Sequence, residues 1–326
     1  MSNQNDRLKT LQQLRRVGSL IGKYGVYIAL VVMFVAMSFA SPTFLSVTNL
    51  FNILKQNAVI GIIAVGMTFV IVTGGIDLSV GAQLALVSCI LGQFITNFGV
   101  NPFLACLIAL LASTAFGFLN GFFVARFNMF PFVVTLSTQL IIRGLAQVIS
   151  GGNAIPLTSE TFQHIYSSKV GPIPLPIVIL FVVTVIVYIM LHWTKFGRYI
   201  FAVGGNVHAA IASGVSEFWT KVGAYTISGL LAGIAGIIFT AKTSSAQSNI
   251  GIGYETDAVA ACVLGGTSFA GGVATIPGVV MGIFIIGFIY NGMNLIGIES
   301  YYQSMTKGAV IIGAVLLDMV LNRKKG

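Results

Sequence analysis

The run IPLPIVILFVVTVIVYIMLH, residues 173–192, decides the architecture. It contains no Asp, Glu, Lys or Arg. At about 1.5 Å of rise per residue it is long enough to cross roughly 30 Å of hydrocarbon as one helix. Similar apolar runs lie on both sides of it. Before it come residues 24–41, 57–73, 79–97, 101–125 and 131–149; after it come 222–241, 256–270, 272–291 and 304–321. The expected fold is an all-α polytopic membrane protein with about ten transmembrane helices. Composition agrees, with 56% hydrophobic and 8% charged residues over 326 positions and a mean hydropathy of +0.95. A soluble domain carries about 25% charged residues, and no single soluble core of this size hides so much apolar surface. The third and eighth runs are the least apolar, because Asp77 and Asp257 flank them and glycine interrupts them.

The net charge of +9 does not point to nucleic acid. The basic residues cluster at the two ends and in one central loop, beside apolar runs, which is a pattern of membrane orientation rather than of a phosphate-binding face. With the N-terminus inside and ten spans, the inner segments hold Arg7, Lys9, Arg15, Arg16, Lys23, Arg126, Lys195, Arg198, Lys221, Arg323, Lys324 and Lys325. The outer segments hold only Lys55, Lys169 and Lys242. Arg143 and Lys307 fall within expected spans. Losing one span would put Arg323–Lys325 outside, against the positive-inside bias, so eight is the fallback count. Both termini are expected in the cytoplasm. The chain divides into a basic tail (1–23), a transmembrane domain (24–321) and a second basic tail (322–326). The run from Tyr24 to Ala40 is too long for the core of a signal peptide and reads as a retained first span.

Two connections are long, an external one over 151–175 and an internal one over 193–221. The stretches 50–150 and 222–321 read as two inverted pseudo-repeats of four helices. Small residues at helical spacing, Gly117/Gly121, Gly229/Gly233 and Gly278/Gly282, suit close helix packing. Cys89, Cys106 and Cys262 lie in apolar runs without a paired spacing, and read as buried thiols rather than a disulfide framework. His164, His192 and His208 show no metal-ligand spacing, so no metal site is expected. The sequence GSLIGKY at 18–24 departs from a phosphate-binding loop in spacing and lacks a hydroxyl after the lysine. No catalytic constellation is present, and the chain is expected not to be an enzyme.

Three segments carry the functional signal. In TGGIDLSVG (73–81), an ionisable residue stands between two apolar runs with glycines beside it, an arrangement that lets a helix break and face a polar path. Asp77, Ser79 and Gln83 are the candidates there, although Asp77 or Ser79 as a simple helix cap is an equal reading. In GIGYETD (251–257), Glu255 and Asp257 precede a short, glycine-interrupted apolar run; capping a helix is again the plainer alternative. In GRYIFAVGGNVHAAIASGV (197–215), Gly-Gly-Asn signals a turn, and a short helix follows from about Val207 to a terminator at Gly214. Its alanines make a shallow surface suited to docking, with a helix lying on the membrane surface as the alternative.

Taken together, TGGIDLSVG (73–81), the 197–215 segment, SSAQSNIGIGYETDAVAACVLGGTSFAGG (244–272) and NGMNLIGIESYYQSMTKGAVI (291–311) resemble the permease subunits of bacterial ATP-binding-cassette importers of the ribose/galactose/xylose/arabinose branch. The resemblance covers nearly all of the chain after residue 40. It implies a permease of the bacterial inner membrane that passes a monosaccharide to the cytoplasm. It also implies a second permease copy, an ATPase subunit that binds ATP and magnesium, and an extracytoplasmic sugar-binding protein. The chain itself is expected to hold no cofactor. The segment matching 193–221 becomes the loop that docks on the ATPase, through Arg198, Gly204, Gly205, Asn206, Ala209, Ala210, Ser213 and Gly214. Asp77, Ser79, Gln83, Glu255 and Asp257 become pathway or gate candidates. Two other classes remain open on sequence alone: an ion-gradient-driven transporter of a small polar solute, and a membrane scaffold or receptor.

Overall fold

The computed structural model describes residue 28 and residues 30–322, with side chains through residue 313. The expected tail at 1–23 and residues 323–326 of the second tail lie outside the described residues. The helices are α1 (Leu30–Ala40), α2 (Val47–Val72), α3 (Val80–Gly92), α4 (Pro102–Phe127), α5 (Pro131–Ser150), α6 (Glu160–Ser167), α7 (Leu175–Trp193), α8 (Lys195–Gly205), α9 (Val207–Ala212), α10 (Glu217–Thr243), α11 (Tyr254–Leu264), α12 (Ile276–Leu295) and α13 (Ser300–Asn322). A π-helical turn, Gln93–Asn97, continues α3.

Seven of these are long and apolar enough to cross a membrane: α2, α3 with its π turn, α4, α5, α7, α10 and α12. The run 256–270 is helical only to Leu264. Gly265 and Gly266 (φ +83°) end α11 after 11 residues, and residues 265–275 are irregular. Eleven residues rise about 16 Å, half of the hydrocarbon thickness.

Helix α2 is apolar on every side and sits at the centre, with residues 57–72 all buried. A helix hydrophobic all round belongs in the interior. The faces of α4, α5 and α7 that carry Phe103, Leu140 and Phe181 are exposed, as helices bathed in lipid require. The glycine pairs do the packing expected of them. On the antiparallel crossing of α4 and α10, a Cβ at Gly117 would stand 2.5 Å from the Tyr225 carbonyl oxygen, and one at Gly229 would stand 2.7 Å from that of Ser113. Gly278 and Gly282 bring α12 against the Gly265 and Ala261 carbonyls of α11. At the start of α2, the Asn49 amide exchanges two 2.9 Å hydrogen bonds with Asn291 of α12.

Helices α2, α4 and α11 end, and α5, α10 and α12 begin, at one end of the bundle. There the long 193–221 connection is two helices rather than a turn and one helix. Thr194 caps α8 at the Gly197 amide, and Asn206 caps α9 at the Ala209 amide. Phe196, Ile200 and Val203 recur at helical spacing and hold α8 on the bundle, so Gly204 and Gly205 form its last turn. Gly214 takes φ +81° after α9, as expected of its terminator. The other end carries α6 and two short antiparallel ladders. Strand β1 (Ile155–Pro156) pairs with β4 (Ser245–Ala246), and β2 (Lys169–Val170) with β3 (Ile173–Pro174).

Candidate transport pathway

The turn between α2 and α3 folds into the bundle. Asp77 Oδ1 accepts from the Ser79 amide at 3.0 Å and from Ser79 Oγ at 2.6 Å, and Oδ2 accepts from Ser228 Oγ of α10 at 3.0 Å. Ser79 Oγ in turn accepts from Gln83 Nε2 at 2.8 Å and from Asn120 Nδ2 of α4 at 2.9 Å. Ser113 Oγ stands 2.8 Å from Gln83 Oε1 and 2.7 Å from the Gly229 carbonyl, and its one proton serves one of them at a time. Ser228 lies about 16 Å along α10 from Glu217, so this node sits deep in the bundle. Asp77, Ser79 and Gln83 are 0% exposed. In this conformation they brace α3 against α4 and α10 and do not border open space. The Asp77 side chain organises the turn, whereas Ser79 makes no side-chain cap bond to α3.

The second cluster forms where residues 247–253 run back into the bundle from β4. Arg143 Nη1 of α5 donates to the carbonyls of Ser248 (2.8 Å) and Ile250 (2.6 Å). Lys307 Nζ of α13 donates to the Gly253 carbonyl at 2.9 Å and pairs with Asp257 Oδ1 at 2.7 Å, which also accepts from Tyr290 OH at 3.1 Å. Arg143 stands about 18 Å along α5 from Pro131, and Lys307 about 10 Å along α13 from Ser300. These helices start at opposite ends of the bundle, so the two distances put this segment near the middle of a membrane-sized slab. Two long cations therefore pin a re-entrant stretch of backbone from two sides, giving its carbonyls the donors that lipid cannot provide.

Glu255 Oε1 accepts from the Gly253 amide at 3.2 Å, while its buried Oε2 has no hydrogen-bond partner. That oxygen lies against Gly81, where any Cβ would collide with it and with the Gly251 carbonyl. The starts of α3 and α11, one entered from each end of the bundle, thus meet at Gly81 and Gly251. The two acidic motifs come together at depth, through the Gly81 and Gly251 backbone and the Glu255 carboxylate, while the Asp77 and Asp257 carboxylates are engaged elsewhere.

Sequence reasoning missed Arg143 and Lys307 as site residues. The available signal was a cation inside an apolar span. Replacing Arg143 with leucine is expected to leave two deep carbonyls without a donor and to cost about 1–3 kcal/mol. The check is the thermal unfolding midpoint of the purified protein, and an unchanged midpoint contradicts the clamp.

Of the residues expected to dock a partner, Arg198, Gly205, Asn206, Ala209, Ser213 and Gly214 are exposed at the α8–α9 end. The other two, Ala210 and the half-buried Gly204, are less open. Ala210 is buried at 4% exposure, because it is the face of α9 turned to the bundle. Gly204 is packed against the Val72 carbonyl at the end of α2.

A bundle of apolar helices in which two short helices begin near mid-depth, beside glycines and carboxylates, is the construction of a membrane transport protein. Residues 49–315 match the family described as branched-chain amino acid transport system / permease component, and the chain belongs to that family. It is similar to the ribose import permease protein of Bacillus subtilis (strain 168), with 42% identity over 315 residues, 96% of this chain and 98% of the relative. The D-allose transport system permease protein of Escherichia coli (strain K12) is 38% identical over 303 residues, 92% of this chain and 93% of the relative. The galactose/methyl galactoside import permease protein of the same strain is 36% identical over 319 residues, 92% of this chain and 95% of the relative. No solved structure matches the chain. The resemblance drawn from the four sequence segments holds, and the chain is a permease component of the bacterial cytoplasmic membrane.

Proposed function

We propose that this chain is the membrane-spanning permease of an ATP-binding-cassette importer that carries a monosaccharide into the cytoplasm. The carrying observation is the 42% identity to a ribose import permease over 96% of the chain. The family description names branched-chain amino acids; relatives of nearly full length are named for ribose, allose and galactose, and the proposed substrate class follows them. ATP and magnesium belong to a separate ATPase subunit. A sugar-binding protein delivers substrate at the end that carries α6, and a second permease copy completes the pathway.

In this reading the α8–α9 end is cytoplasmic, both termini lie on that side, and α1, α11 and α13 join the seven long helices to make ten membrane segments. α2–α5 and α10–α13 are the two inverted repeats. The deep starts of α3 and α11 are their corresponding breaks. Each sugar hydroxyl costs roughly 2–7 kcal/mol to strip of water without a new partner, so the route must be polar or wet. Helix α5 supports such a wall: Gln139, Arg143 and Gln147 recur on one face and none is buried, which suits a water-filled path or a facing copy better than lipid. Asp77, Ser79, Gln83, Glu255 and Asp257 act as gate residues that rearrange as the α3 and α11 starts separate. Exposed Arg198 and the α9 surface dock the ATPase.

The test is uptake of radiolabelled ribose, allose and galactose into vesicles holding the permease, its ATPase and its binding protein. ATP-dependent uptake is expected, and it should survive a protonophore. Arg198→Glu is expected to lower it roughly tenfold or more through charge mismatch at the docking surface. Uptake that a protonophore abolishes and ATP depletion leaves intact would overturn the reading in favour of an ion-driven transporter.

A further inference from the structure

Three separated parts of the chain meet at the α8–α9 end through bare backbone. The Gly272 amide donates to the Val72 carbonyl at 2.9 Å, tying the 265–275 turn to the end of α2. A Cβ at Gly204 would strike the same carbonyl and would stand 2.7 Å from the Gly272 nitrogen. A Cβ at Gly271 would stand 2.7 Å from the Gly204 carbonyl oxygen, and one at Gly272 would stand 2.8 Å from Gly205 Cα. At all three glycines the nearest atoms across the contact are backbone, which leaves little to absorb movement. The other end of α8 is also fixed, because Phe196 packs on Phe69 of α2 with ring centroids 6.1 Å apart and against Gly223 of α10.

The elements leaving this contact are short. Five residues along the chain from Val72 is Asp77, the centre of the buried polar node. On the other side, α11 rises from Gly265 to Glu255, about 15 Å, and ends at the Gly81–Gly251 contact. α11 is itself held along α12 by backbone contact at Gly278 and Gly282. A displacement of α8 therefore has a direct route to both deep motifs. Backbone against backbone has no soft intermediate, and close-packed contacts shift as units rather than deform.

We propose that the contact of Val72, Gly204, Gly271 and Gly272 is the joint that passes movement of α8–α9 to α11 and to the Asp77 turn, so that Gly204 and Gly272 are positioning residues for transport. This rests on the importer reading above. Gly204 has an ordinary helical backbone, and alanine there favours the helix itself. Only the joint opposes it.

The experiment compares Gly204→Ala with wild type and with Gly313→Ala in vesicles holding the complete importer. Gly313 is also helical, and its Cβ would meet nothing within 4 Å. Three quantities are read: recovery of the ATPase subunit with the permease, ATP hydrolysis, and uptake of radiolabelled ribose. Gly204→Ala is expected to keep the ATPase and its hydrolysis within twofold of wild type while uptake per ATP falls at least tenfold. Gly313→Ala is expected to match wild type in all three. Unchanged uptake per ATP in Gly204→Ala overturns the joint. Loss of the ATPase subunit also overturns it, by making Gly204 a docking residue. If Gly204→Ala fails to reach the membrane, Gly271→Ala, which aims a Cβ at the Gly204 carbonyl from the opposing segment, is judged by the same readings against Gly266→Ala, which shares its left-handed backbone (φ +85° and +83°) but whose Cβ would meet nothing within 4 Å. A wild-type complex that hydrolyses ATP but takes up none of ribose, allose and galactose overturns the importer reading itself, an outcome separate from any difference between variants.

Discussion

Lys307→Ala is expected to destabilise the protein by about 3–5 kcal/mol, the range for removing one partner of a buried ion pair. Lys307 Nζ is the only cation paired with Asp257 among the described residues, and the Asp257 side chain is 7% exposed. Without the ammonium, Asp257 keeps only the Tyr290 hydroxyl, and the Gly253 carbonyl loses its donor. The cost comes less from the lost attraction than from an uncompensated charge left at depth. The double variant Lys307→Ala/Asp257→Asn removes that charge and is expected to recover most of the loss. Thermal unfolding of the purified proteins distinguishes the cases. A double variant no more stable than the single one contradicts this account of the pair.

Gly229→Leu is expected to prevent assembly of the bundle. At this crossing the neighbours are the Ser113 carbonyl at 2.7 Å and Gly117 Cα at 2.9 Å from a Cβ. Ordinary overpacking costs roughly 1–3 kcal/mol because side chains move aside. Here both neighbours are backbone, so α4 and α10 must separate along the crossing that also holds Ser113 on the Gly229 carbonyl and Ser228 on Asp77. Folded protein recovered from membranes is the measurement, and Gly313→Leu, placed where nothing lies within 4 Å, is the matched comparison. Equal recovery of the two variants would rule out close approach at Gly229 as a requirement for folding.

Most of the helices were legible because membrane crossing imposes one simple rule, apolar length, and α2, α4, α5, α7, α10 and α12 each satisfy it. The run 256–270 satisfied it in composition only. Ala258–Leu264 is apolar, but Gly265-Gly266 stops the helix, and apolarity cannot distinguish a half-helix wrapped in protein from a full crossing in lipid. Helix α8 was missed because Gly204-Gly205-Asn206 was read as a turn within a loop and given more weight than the spacing of Phe196, Ile200 and Val203. Asp77, Ser79 and Gln83 could be singled out as polar residues at a break between spans. Their partners could not, since Ser113, Asn120 and Ser228 are single small polar residues on apolar helices, distant in sequence from Asp77. Arg143 and Lys307 were visible as cations in spans, yet the groups they serve are mostly backbone carbonyls, which carry no sequence signature. The joint at Gly204 was invisible for the same reason: glycine reports that something comes close, not what.

Helix α11 also constrains the order in which the protein can be built. Its 11 residues carry Glu255 and Asp257 in the first turn, which lies near mid-depth in the folded bundle, and an acidic residue at the centre of the hydrocarbon costs about 2.5–3.5 kcal/mol on insertion. The segment therefore has no stable place in the bilayer when it first leaves the ribosome. Its hydrogen-bond partner Tyr290 and its ion-pair partner Lys307 both lie downstream in the chain. Residues 244–275 must wait at the translocation channel or the membrane surface until α12 and α13 arrive. Chains halted before residue 300 should accordingly be recognised by membrane quality control as unfinished, although the seven long apolar helices that precede α13 are already in place.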